Sequence, residues 1–234
     1  VKSHKSAVNR LTGYGSKKMS EANQAEPEFE QVQAEAQKAA EEKVEIADEV
    51  RDITLKALSE GKLDGARIKE VIKAVVEGVS IGATNKDTDV KSTLKEAFTG
   101  VDEALAKTAE ASKLAVEEAM GRAKDYNKED LNKAIKDIKE LENIFVQTVK
   151  SVSKSGSALV KETLDDLITH AKNTGTEVGK HSKEVASNLT QQLAQAAQET
   201  VSASADAART LASNIAEAAA GFLSGLAESL KPKK

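Results

Sequence analysis

The segment 160–229, VKETLDDLITHAKNTGTEVGKHSKEVASNLTQQLAQAAQETVSASADAARTLASNIAEAAAGFLSGLAES, decides how this chain is read. Repeated steps of four, three and four residues from Val160 visit Thr163, Leu167, Ala171, Thr174, Val178, Ser182, Val185, Leu189, Leu193, Ala196, Thr200, Ser204, Ala207, Leu211, Ile215, Ala218, Phe222, Leu226 and Ser229. None of these is charged, although 14 of the 70 residues in the segment are. The charges repeat too. Lys161, Lys172 and Lys183 recur at eleven, and so do Glu162, Glu184, Asp206, Glu217 and Glu228 once Asn173 and Gln195 fill the two gaps, on either side of the polar face. Eleven residues in three turns is about 3.67 per turn, close to a relaxed α-helix. The spacing therefore predicts one very long amphipathic helix with a narrow uncharged stripe.

Composition agrees with long helices: 31% charged, 39% hydrophobic, two prolines and six aromatic rings in 234 residues. With no Trp, a core must be built from Leu, Ile, Val and Ala. Cysteine is absent, so neither disulfides nor thiolate chemistry is available. A net charge of −4 with interspersed signs excludes a nucleic-acid footprint. No run reaches the roughly 18 apolar residues of a membrane span, and residues 1–18 lack the apolar core of a secretory signal. The expected location is cytoplasmic, peripheral to a membrane or granule.

Upstream, residues 1–18 carry five Lys or Arg and no acid, and Met19-Ser20-Glu21 resembles a translation start. Residues 1–26 read as a flexible basic extension, its first 18 residues non-native. An intact mass of the natural protein starting before Met19 would refute this. Pro27, among Glu26, Glu28 and Glu30, suits the start of a first helix. Phe29, Val32, Ala36, Ala39, Ile46, Val50, Ile53 and Ala57 form its seam, broken by Lys43, and Gly61 ends it. Asp64 caps a second helix with a β-branched face (Ile68, Val71, Ile72, Val75, Val76, Val79). A third helix, 87–126, repeats the 4-3-4 step through Val90, Leu94, Ala97, Val101, Leu105, Thr108, Ser112, Val116 and Ala119. A fourth carries Leu131, Ile135, Ile138, Leu141, Phe145, Val149 and Val152, and Ser151–Ser157 is a linker.

The expected fold is all-α: an elongated bundle of four shorter helices over residues 27–155, the long helix over 156–230, and a basic tail over 231–234. At 1.5 Å per residue that helix would span roughly 105 Å, against roughly 50–60 Å for the first and third. Its own chain should fail to cover it. The stripe's large residues Leu167, Val178, Val185, Leu189, Leu193, Leu211, Ile215, Phe222 and Leu226 are therefore assigned to surface or partner contact. Gly221 and Gly225 continue a small-residue row that admits a close helix. Gly175 and Gly179 are the candidate break, although the stripe keeps its phase across them.

Catalytic patterns are missing. His170 and His181 lie roughly 16 Å apart along a helix, too far for one metal. Glu177 and His181 have i, i+4 spacing, but the paired Glu-x-x-His helices of a di-metal carboxylate site are not present. Gly179-Lys-His-Ser182 lacks the upstream glycine of a phosphate loop. No catalytic, metal or cofactor residue is assigned, and the chain reads as a non-enzyme.

Between Ala186 and Leu230 the polar face is Gln, Ser, Thr and Asn, with only Glu199, Asp206, Arg209, Glu217 and Glu228 charged. Such a face resembles lipid-packing sensors. Together with the eleven-residue repeats, the alanine richness and the absence of Cys and Trp, it resembles phasins and other lipid- or polymer-surface coat proteins. The stretch Ala109–Arg122 and the Gly221–Glu228 end are similar to an uncharacterised bacterial helical family. The resemblance implies a non-enzymatic coat or scaffold whose long helix covers lipid or storage polymer. The alternative is a homo-oligomeric assembly protein that packs the same stripe on its own copies.

Overall fold

The computed structural model describes residues 13–42, 45–60, 63–85, 89–121 and 128–199. Among them are seven helices: α1 (Gly13–Glu42), α2 (Ile46–Ser59), α3 (Gly65–Asn85), α4 (Val90–Gly121), α5 (Lys128–Ser153), α6 (Ala158–Thr174) and α7 (Glu177–Glu199). The all-α expectation holds for these residues. The expected division into four helices and one very long one does not.

The first difference is at Lys43. A continuous helix would carry this ammonium into the seam between Ala39 and Ile46. Instead α1 ends at Glu42, Glu45 takes a left-handed φ of 46°, and α2 turns back along α1, where Lys56 Nζ meets Glu35 at 3.2 Å. The seam residues on both pieces still face inward: Val32, Ala36, Ala39, Ile46, Val50 and Ala57 are buried. The start also differs. Helix α1 begins at Gly13, so Pro27, the expected start, lies inside the helix. No strong breaker separates Gly15 from Pro27, and proline removes only one backbone bond there.

Helix α3 lies parallel to α1 at very short range. A Cβ on Gly78 would overlap the Gln33 carbonyl and come within 3.1 Å of Ala36 Cβ; one on Gly82 would overlap the Gln37 carbonyl. Glycine is required there because a backbone occupies the side-chain space. Arg67 ties this corner together, donating to the Ala57 carbonyl at 2.6 Å, pairing with Glu28 and lying 5.7 Å over the Phe29 ring.

Helices α4 and α5 pair through Phe98 and Phe145, with ring centroids 4.6 Å apart. Every residue of the expected α5 face, from Leu131 through Phe145 to Val152, is buried. Ser157 caps α6 by accepting from Val160 N–H. Helices α6 and α7 then follow α4 in the same direction, as successive pairs show: Glu162–Lys91, Glu177–Asp102, His181–Glu110 and Gln192–Glu117.

Candidate functional site

The expected long helix is interrupted at Gly175, whose φ is 81°. Yet the 4-3-4 stripe stays in phase across the break. Val160, Thr163, Ala171, Val178, Ser182, Val185, Leu189 and Leu193 are buried, Leu167 is half-buried against them, and Thr174 at the break is exposed. The stripe is thus an inward face, and its first half is covered by this chain's own α4 and α5. Leu167, Val178, Val185, Leu189 and Leu193 are therefore core residues in this conformation. The expectation that they lie free for a partner is corrected: two shorter helices replace one, and both pack on the α4–α5 pair. Leu211, Ile215, Gly221, Phe222, Gly225 and Leu226 lie outside the described residues.

The break falls at the candidate glycine, but Asp102, Glu142 and Thr176, which hold it, were singled out by no sequence pattern. The first N–H groups of a helix have no partner inside it. In α7, Glu177 and Val178 donate theirs to the two carboxylate oxygens of Asp102 on α4, each at 2.8 Å. Gly179 N–H donates to Thr176 Oγ1 at 2.9 Å, and that hydroxyl donates to Glu142 Oε1 on α5 at 3.1 Å. Lys183 Nζ closes the ring on Glu142 Oε2 at 2.9 Å. Asp102 is 8% exposed. Its burial raises the carboxyl above the ordinary range, against the pull of the Val178 and Glu177 N–H groups, with Glu177 and Glu142 adding to the rise.

On the solvent side His181 Nδ1 meets Glu110 at 2.8 Å, and its Nε2 lies 3.8 Å from Glu177. His170 is exposed on α6. Among the described residues no cluster of three or more His, Cys, Asp or Glu is placed to hold a metal, and no helix is long and apolar enough to cross a membrane. An open groove of about 430 Å³ lies where α3 and α5 end, lined by Ile81, Val152 and Val160 among others. The hydroxyls of Ser80, Thr84 and Ser155 around it donate to backbone carbonyls nearby, so it presents no assembled polar constellation.

The described part of the stripe ends on α7, which runs to Glu199. Gln192 sits beside Glu117 at 3.1 Å, and α4 stops at Gly121 with α5 beginning at Lys128. A family model described as a family of unknown function, DUF6781, matches residues 22–232, including the sequence beyond that end. The chain belongs to the DUF6781 family. No curated protein and no solved structure matches it. The DUF6781 match thus spans α4, α6 and α7, and the distal half of the stripe.

Proposed function

We propose that this DUF6781 protein is a coat or scaffold whose folded bundle carries a ribbon, the uncharged stripe within residues 200–229, onto an apolar surface, as the phasin-like resemblance implies. One observation carries the reading: from Val160 to Leu193 the stripe is the dry side of α6 and α7, buried everywhere but at Thr174 and the half-buried Leu167. The same stripe continues in the sequence with Leu211, Ile215, Phe222 and Leu226. Burying each of these four contributes about 1.5–3 kcal/mol, comparable in sum to a domain's whole stability. Their weakly charged polar flank suits a lipid or storage-polymer boundary better than a salt-laced coil.

A second reading rests on a different observation. Helices α4 and α6–α7 both carry the eleven-residue spacing and pack side by side in parallel. A stripe of this kind therefore mates with a like helix within this molecule, which favours self-association of the distal ribbon between copies. Flotation with vesicles or polymer granules, beside light scattering without them, separates the two. Leu211→Glu abolishes flotation with helical content retained if the ribbon binds a surface. A stable oligomer that ignores both surfaces, and that Leu211→Glu dissociates, establishes the second reading instead.

A further inference from the structure

The α6–α7 joint is held differently from the other helix starts. Helices α3, α4 and α6 are capped by residues just before them: Asp64 accepts from Arg67 N–H, Asp89 from Lys91 and Ser92, and Ser157 from Val160. Helix α7 has its own Thr176 but draws the acceptor for its first two N–H groups from α4, about 75 residues away in the chain. Thr176 and Lys183 tie it to Glu142 on α5, and further along His181 and Gln192 meet Glu110 and Glu117 on α4. At Gly175 the space where a side chain would sit is empty to 4 Å, while Thr176 beside it is buried. The joint is thus a glycine turn beside a polar clasp.

The clasp also gathers like charge. Asp102, Glu142 and Glu177 converge there, opposed by Lys180 on Glu177 and Lys183 on Glu142, while the hydrogen bonds to Asp102 come from backbone N–H groups. Beyond the clasp, α7 presents Val178, Val185, Leu189 and Leu193 to α4 and α5, in the phase that the sequence continues to Leu226. Removed from the bundle, α7 would join that ribbon and double its large apolar residues from four to eight. The α4 residues at the same spacing, including Val101, Leu105 and Val116, are buried as well, so the opened seam has related faces on both sides.

We propose that α7 is a releasable helix: Gly175 is its hinge, Asp102 and Glu142 are the latch, and a lipid surface is what it opens onto. This rests on the coat reading above and adds to it that the bundle stores half of the binding ribbon. In water, opening exposes the buried faces of α4, α5 and α7 with nothing in exchange, so the latch stays shut. On a lipid surface the apolar face of α7 exchanges one dry environment for another. A zwitterionic surface suits the chain's net charge of −4 better than an anionic one.

The test exploits the absence of native cysteine. Glu117→Cys with Gln192→Cys, whose native side-chain tips meet at 3.1 Å, is bridged by a bis-maleimide linker with an internal disulfide, which joins α7 to α4 until that disulfide is reduced. Dioleoylphosphatidylcholine vesicles are floated with the bridged and the reduced forms. The reduced form floats like the parent, and the bridged form floats at least about fivefold less. Equal flotation of both forms overturns the latch while leaving the coat reading intact. Hydrogen exchange in water gives a readout that needs neither lipid nor the cross-link. Amides of residues 180–193 exchange at least about tenfold faster than buried amides of α4 and α5, and Asp102→Asn widens the gap. Equal protection in all three helices overturns the proposal. Fast α7 exchange without flotation keeps the releasable helix and refutes lipid as its target.

Discussion

Replacing Asp102 by alanine removes the acceptor for two N–H groups at the start of α7. Two charge-assisted bonds are worth about 3–6 kcal/mol gross. Keeping a carboxylate this far from water costs several kcal/mol, which offsets much of that. What survives is the loss of a helix cap and the orphaning of the Val178 N–H, on a residue with no exposed surface. The net loss at neutral pH is therefore expected at about 1–3 kcal/mol. Asn retains one acceptor oxygen but turns an NH₂ toward the second donor, so Asp102→Asn should lose about half as much. Urea unfolding followed by far-ultraviolet circular dichroism measures both. The pH dependence has a definite sign. Because burial raises the folded-state carboxyl above its ordinary value of 3.8, its contribution is full below that value and is lost as pH rises through the raised one. The advantage of the parent over the Asn variant should be widest below about pH 4 and narrow toward neutrality. Comparison with this variant cancels Glu35 and Asp165, which act in the opposite sense. Hydrogen bonds from Gln31 and Lys161 respectively hold them below their ordinary values. An unchanged midpoint for Asp102→Ala, or a gap that widens with rising pH, would refute the reasoning.

Gly78→Ala and Gly82→Ala should each destabilise by about 1–3 kcal/mol despite alanine's better helix propensity, because the added methyl meets the α1 backbone. Gly179→Ala should also lose about 1–2 kcal/mol in urea midpoints by a different route, because the methyl displaces the Glu142 carboxylate that holds Thr176 and Lys183. Arg67→Ala should cost about 1–3 kcal/mol, and Arg67→Lys should fail to restore it. An ammonium cannot reach the Ala57 carbonyl, pair with Glu28 and cover Phe29 from one plane; thermal melts of the three proteins test this. Gly175→Ala should cost about 1–3 kcal/mol through the backbone alone, since φ 81° with ψ 165° is a conformation essentially confined to glycine and no neighbour contests the space, and Gly175→Asn should lose as much in the same melts.

Much of the inward face was legible residue by residue. On α3 and α5 every residue expected to face inward is buried, from Ile68 to Val79 and from Leu131 to Val152. The 4-3-4 spacing likewise picked out Val178, Ser182, Val185, Leu189 and Leu193. Lys43 follows directly on the end of α1, and the i, i+4 spacing of Gly78 and Gly82 coincides with the close approach to α1. Asp102 left no signal. It stands one residue past Val101 in the α4 stripe, looks like any solvated helix acid, and gains its meaning only from partners some 75 residues later.

The sequence by itself determined that this chain is helical and which side of each helix avoids water. That follows from the spacing of uncharged residues against the turns of one helix, a relation needing no other part of the chain. Only the tertiary structure decided what meets that side: α4 and α5 cover the stripe through Leu193, and a carboxylate from α4 makes the interruption at Gly175 tolerable. A periodic face states that something dry must lie against it. Which surface does so depends on distances between segments remote in the chain, and periodicity carries no information about those.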